Sequence, residues 1–132
     1  MFCDLVGSTE ISVRLDPEEL RELQADYSRV VAEAIGRFDG FVAKYLGDGV
    51  LAYFGWPKAH DNDAERAARA ARAGLAIVDA VGALNQRDGQ GGRPRLSARV
   101  GIDSGTVVIG QGGSSDSEVF GDTCPYQKLR KR

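Results

Sequence analysis

The 132-residue chain carries 17 Lys plus Arg against 19 Asp plus Glu, a formal net charge of −2, so no global basic field recommends a nucleic-acid partner. No apolar run approaches the ~20 residues of a membrane span, and the N-terminus lacks the basic region and hydrophobic stretch of a signal peptide. One domain with its own core is expected, and its two cysteines, Cys3 and Cys124, have no Cys-x-x-Cys spacing, which fits a reducing compartment, the cytoplasm.

The first segment, FCDLVGST (2–9), is strand-like and gives way to helix at its Gly-Ser-Thr end, yet it carries Asp4 among apolar residues. Residues 16–38 predict a helix: Asp16 as N-cap, Pro17 at the first position and Glu19 at the third, with Leu20, Leu23, Tyr27, Val30, Val31, Ala34 and Phe38 on one face. Asp39-Gly40 stops it. From Phe41 to Phe54 the residues turn β-rich and are broken by Gly47-Asp48-Gly49, predicting a hairpin with an acid at its tip. Tyr45 and Tyr53 fit strand positions, and Trp56-Pro57 ends the third strand.

A second helix is predicted at 62–85, where Asn62 and Glu65 have capping-box spacing and Ala64, Ala68, Ala71, Leu75, Val78 and Leu84 form a narrow apolar stripe. Arg66, Arg69 and Arg72 read as a solvated face with a Glu65–Arg69 pair. His60, the single histidine, precedes the helix in a polar loop and reads as structural. After a Gly-rich connection at 85–95, LSARVGIDSG (96–105) and TVVIG (106–110) read as a strand pair, and QGGSSDS (111–117) as a polar loop before EVFGD. Strand, helix, strand, strand, helix, strand is the βαββαβ order of a ferredoxin-like α+β sheet with its helices on one face.

That plan puts the strand bearing Asp4 beside the hairpin bearing Asp48, so the two carboxylates can converge. Singly, Asp48 between glycines is ordinary turn chemistry, and Asp4 reads equally as a helix cap or an edge-strand solubility device. Together, without an accompanying His or Cys cluster, they suit a hard ion such as Mg²⁺ or Mn²⁺ that completes its shell with water and substrate phosphate. Such sites serve phosphoryl chemistry, and the Gly7, Ser8 and Thr9 segment offers backbone N–H groups to a triphosphate. Lys44 stands four residues before Asp48 in KYLGDG.

With these motifs the sequence resembles the class III nucleotidyl cyclase catalytic domain. FCDLVGST is similar to the family's first metal-Asp motif, FVAKYLGDGVLAYFG (41–55) to its second, and ARVGIDSGTVVIG (98–110) to its later strand pair. The resemblance implies a cyclase-like domain over 1–122, incomplete relative to the usual domain, followed by a divergent basic tail at 123–132. It implies that Asp4 and Asp48 are ligands of two Mg²⁺ or Mn²⁺ ions and that Lys44 reads the adenine edge, favouring ATP. The implied reaction forms 3′,5′-cyclic AMP and pyrophosphate at the interface of a homodimer, or of a pair with another cyclase domain.

Departures from the family pattern concentrate after VFGD (119–122). The family continues into a helix with Asn and, four residues on, Arg; here the chain reads TCPYQKLRKR, and no Asn follows Asn85. Arg130 takes the Arg position if one residue is inserted. Glu118 falls where the family keeps an Asp, Thr or Ser that partners the lysine in adenine selection. The alternative function is therefore a degenerate cyclase-like domain that binds nucleotide, or pairs with a complete cyclase, without turnover. A truncated or frame-shifted reading accounts for the abrupt basic tail. It predicts that resequencing the locus finds an Asn-x-x-x-Arg helix encoded in another downstream frame, and the absence of one refutes it.

Overall fold

The structure, a computed structural model, describes residues 1–59, 62–88, 92–111 and 117–120, with the backbone alone at 88, 108–111 and 117–120. His60, Cys124, Arg130 and the whole of 123–132 lie outside the described residues. Chain order runs β1 (Phe2–Leu5), α1 (Ser8–Arg14), α2 (Pro17–Arg37), β2 (Phe41–Leu46), β3 (Gly49–Tyr53), α3 (Asp63–Asp88), β4 (Ala98–Gly101), β5 (Val108–Gln111) and β6 (Ser117–Phe120). Strands β2-β3-β1-β4 form one antiparallel sheet in that order, the arrangement expected of a βαββαβ α+β fold.

α2 begins as its sequence dictates. The Asp16 carboxylate accepts from the N–H groups of Glu18 (3.0 Å) and Glu19 (2.9 Å), while the Glu19 carboxylate accepts from the Asp16 N–H (3.2 Å). Donors that a helix start would leave unpaired are thus satisfied. It ends where Asp39 takes φ +56 and Gly40 follows; a Cβ on Gly40 would lie 2.6 Å from Ile35 and 2.7 Å from Phe54, so only glycine admits this close turn. Leu23, Tyr27, Val31, Ala34 and Ile35 are buried from this helix, close to the predicted face.

α3 corrects the predicted stripe. Asn62 does cap it, accepting from the Glu65 N–H at 2.9 Å. Of the predicted stripe only Leu84 is buried, and the other buried side chains are Ala70, Ala73, Ile77 and Val81, whereas Leu75 is 68% and Val78 51% exposed. Both faces of this alanine-rich helix are apolar at helical spacing, so period alone cannot choose between them. Close packing chooses: a Cβ on Gly74 would meet Val100 of β4 at 3.3 Å, so the small-residue face lies against the sheet. The arginine row is anchored rather than only solvated, Arg66 pairing with Asp63 and Arg69 with Asp39 at 3.6 Å.

The predicted pairing of 96–105 with 106–110 is also corrected. β4 pairs with β1, with Asp4 opposite Arg99, and β5 pairs instead with β6 in a separate two-stranded sheet, with Gly110 opposite Glu118. Asn85 sets the approach to β4, because its amide donates to the Leu96 carbonyl (2.8 Å) and accepts from the Leu96 N–H (2.7 Å). Arg93 ties the same connection to Glu22 (3.1 Å) and Asp26 (3.4 Å) on α2. No helix among the described residues is long and apolar enough to cross a membrane.

At the centre of the core, Cys3 Sγ and the Tyr27 hydroxyl share a hydrogen bond of 3.0 Å, both groups being 0% exposed. Burial raises the Cys3 thiol from 9.0 to about 11, against a smaller lowering by the Tyr27 bond and with further raising by the charges of Asp4 and Asp48. The folded chain therefore holds this proton more tightly than the unfolded chain. Its stabilising contribution is full below about pH 9 and is lost as pH rises toward 11, on the order of 2 kcal/mol. Urea midpoints measured at pH 8 and pH 10.5 should fall more steeply in the wild-type chain than in Cys3→Ala; equal declines would refute this linkage.

Candidate active site

β1 is the origin of the site. Its alternation sends Cys3 and Leu5 to the helix side, where both are buried, and Phe2 and Asp4 to the opposite face of the sheet. Phe2 stands opposite Leu51 on β3 and Gly101 on β4, and its ring covers Gly49, where a Cβ would approach it to 2.8 Å. Asp4 stands opposite Arg99. A carboxylate is tolerated in this strand because it occupies the face that the helices do not cover.

Asp48 reaches the same place from the hairpin tip. Gly47 adopts φ +63 in the turn, and β3 then begins at Gly49. The register Cys3↔Val50 would set Leu5 opposite Asp48, just where the hairpin has turned away from the ladder. The Leu5 N–H is paired by the Asp48 side chain instead, donating to Oδ2 at 3.2 Å. This bond fixes Asp48 beside the residue that follows Asp4, so the carboxylates meet at one end of β1. Burial raises the Cys3 and Tyr27 pKa values most, with both charges adding to it, and Arg99 is held protonated mainly by its hydrogen bond to Asp4, with a smaller contribution from Asp48.

The sequence reading gave Arg99 no role, and the structure assigns it the strongest contact at the site. Its Nε donates to Asp4 Oδ1 at 3.0 Å and a terminal nitrogen to Oδ2 at 2.6 Å, a bidentate charge-assisted pair. The available signal was a lone arginine between Ala98 and Val100 in an otherwise apolar strand. Its partner emerges only from the cross-strand register.

Lys44 lies on β2 opposite Leu51, in the row that continues through Phe2 to Gly101. It shares the Asp4 face only because of an irregularity: the register steps from Val42↔Ala52 to Lys44↔Leu51, leaving Ala43 as the extra residue of a β-bulge. Two strand spacings and two residues along β1 separate the backbones of Lys44 and Asp4, about 12 Å. Phe41, Tyr53 and Trp56 form an aromatic cluster on the β2–β3 hairpin, with ring centroids 5.1 Å apart for Phe41–Trp56 and 6.1 Å for Tyr53–Trp56.

Gly7 takes φ +69 at the start of α1, and a Cβ there would lie 2.7 Å from Glu10 Oε2. No side chain caps this helix, so the Ser8 and Thr9 N–H groups begin a first turn that lacks an intrahelical acceptor. Glu118 lies on β6 by backbone alone, and Arg130 lies outside the described residues. The site thus brings together Asp4, Asp48 and the unpredicted Arg99, sets Lys44 on their face, and begins the Gly7–Thr9 turn directly after β1.

Among the described residues no cluster of three or more His, Cys, Asp or Glu side chains is present to cage a metal. Two carboxylates nevertheless fit Mg²⁺ or Mn²⁺, hard ions commonly held by one or two carboxylates together with water and substrate phosphates. A concave region of about 520 Å³, lined by Met1, Tyr53, Trp56, Arg66, Ser104 and Val107 among others, lies toward the start of β1. None of Asp4, Lys44, Asp48 and Arg99 lines it, so the acid pair, and not this hollow, defines the candidate site.

Known proteins resemble this chain in sequence and in fold. An adenylate cyclase of Anabaena cylindrica is 34% identical over 129 residues, covering 92% of this chain and 24% of its own. The chain therefore spans about a quarter of that relative's length. The solved structure of the adenylyl cyclase CyaB from P. aeruginosa superposes with a TM-score of 0.88 at 27% identity, covering 98% of this chain and 68% of that one. The guanylyl cyclase Cya2 superposes with a TM-score of 0.86 at 30% identity, covering 97% and 65%. The family model for the adenylate and guanylate cyclase catalytic domain matches residues 1–126. The chain belongs to that family, the class III nucleotidyl cyclases.

Proposed function

We propose that this chain is an adenylate cyclase domain that converts ATP to 3′,5′-cyclic AMP and pyrophosphate in a dimer, and that its cyclase portion is 1–122 with a basic tail at 123–132. The observation that carries the reading is the convergence of Asp4 and Asp48 at one end of β1 through the Leu5–Asp48 hydrogen bond. The similar proteins include both an adenylyl and a guanylyl cyclase, so the choice of ATP rests on Lys44.

In this mechanism Asp4 and Asp48 would hold two Mg²⁺ or Mn²⁺ ions, which would supply charge neutralisation at the phosphates and a lowered pKa at the ribose 3′-hydroxyl, the group that attacks the α-phosphorus. Lys44 donates to the adenine edge, with Glu118 as its partner in base selection. The roughly 12 Å between the backbones of Lys44 and Asp4 lets one nucleotide lie across the sheet face with its base and its phosphates on different side chains. Backbone N–H groups of Gly7, Ser8 and Thr9 donate to the triphosphate, and Arg130 stabilises transition-state charge across the dimer. The product pyrophosphate leaves without a covalent enzyme intermediate.

A second reading is favoured by one feature of the sequence. With no Asn after Asn85, the family's ribose-orienting residue has no counterpart here, which suits a domain that binds nucleotide or a complete cyclase without turnover.

Cyclic AMP formation from ATP and Mn²⁺ decides between them. Product should rise faster than linearly with protein concentration and vanish in Asp4→Ala and Asp48→Ala. A folded chain that binds ATP but forms no product refutes turnover and selects the binding role. If turnover is present, Lys44→Ala should reduce the ATP-over-GTP preference in kcat/KM by on the order of fivefold, the loss of about one hydrogen bond. An unchanged ratio would remove Lys44 from base selection.

A further inference from the structure

The Arg99–Asp4 pair carries an inference that rests on the metal-site reading above and deepens it. Both oxygens of Asp4 are engaged by one guanidinium, at 3.0 and 2.6 Å, in the plane where a cation would also bind. Asp48 is engaged differently: Oδ2 accepts one backbone N–H, which leaves Oδ1 outside that bond. The two acids therefore differ in their readiness for a divalent ion. Asp48 is held in place by a neutral donor, whereas Asp4 already has a full cationic partner.

The partner is built to leave. The Asp4 side chain is 18% exposed and fixed on the central strand, while the Arg99 side chain is 62% exposed on β4, an end strand of the four-stranded sheet. Its guanidinium can swing into water without opening a cavity or unpairing a ladder bond. A divalent ion and a guanidinium repel each other and need the same carboxylate lone pairs, so full occupancy by one excludes the other. The geometry points to Arg99 as a competitive latch on Asp4: it orients and neutralises the carboxylate while no divalent cation is bound, and must release it before Asp4 takes one. Arg99 is in this respect a positioning residue, and it sets the cation concentration at which the site assembles.

Titration of the whole chain with Mn²⁺, following the electron paramagnetic resonance signal of the unbound ion, tests this without turnover. Arg99→Gln should bind Mn²⁺ about two- to fivefold more tightly than wild type, the range for loss of an exposed ion pair. Arg99→Lys should also bind more tightly, since it keeps the charge but loses the two-pronged contact. Tighter binding in Arg99→Gln with Arg99→Lys at the wild-type value overturns the latch, because simple charge removal then accounts for the change. Unchanged or weaker binding in both variants, with binding abolished in Asp4→Asn, overturns the latch while the metal site stands. Absence of binding, or binding indifferent to both Asp4→Asn and Asp48→Asn, overturns the metal-site reading and the latch with it. Far-UV circular dichroism of each variant confirms that the comparison is between folded chains.

Discussion

Hydrogen bonding of β1 along both edges is the constraint on which the site depends. With β3 on one side and β4 on the other, this four-residue strand cannot rotate or slip. A slip by one residue would exchange its faces, sending Asp4 into the apolar layer and Cys3 into the open. Burial of Cys3 and Leu5 against the helices therefore holds Asp4 outward as firmly as any contact that Asp4 makes itself. The same double pairing brings three chain segments distant in sequence, around Asp4, Asp48 and Arg99, to one end of the sheet.

Bringing two carboxylates together at the edge of a core is electrostatically unfavourable unless something offsets their repulsion. The fold does so by unlike means. Asp48 is stabilised by a backbone amide that had lost its ladder partner, so one bond satisfies both an orphan donor and a charge. Asp4 is stabilised by a full opposite charge from the neighbouring strand. The helix side offers no compensation, since the groups nearest there, Cys3 and Tyr27, stay neutral, their ionisation suppressed chiefly by burial and to a smaller extent by the same two charges. An acid pair that is neutralised from one side only can respond to the supply of cations on that side.

Features encoded locally were legible in the sequence. The Asp16-Pro17-Glu19 start of α2, its apolar face and the Gly47-Asp48 turn each depend on residues within a few positions of one another. The βαββαβ order then constrained the sheet enough to set Asp4 beside Asp48. What escaped was set by distant packing. The α3 sequence has two apolar faces, and only the approach of Gly74 to Val100 determines which one is covered. β4 looked paired with its chain neighbour because adjacent strands often are, but β1 needed a second partner and took it. Arg99 was illegible for the same reason: its meaning lies in the residue opposite, 95 positions away.

The β-bulge at Ala43 has a consequence for how this site can vary. Without the extra residue, continued pairing from Val42↔Ala52 would set Ala43 opposite Leu51 and Lys44 opposite Val50, turning the lysine to the helix side. Chain length at one point, rather than side-chain identity, thus decides which functional group the sheet presents. Substitutions can grade the character of position 44, but only a deletion or insertion beside it can withdraw that position from the open face. In variation by single-residue gain or loss, the second strand behaves as a two-position selector whose setting leaves β1 and β3 unaltered.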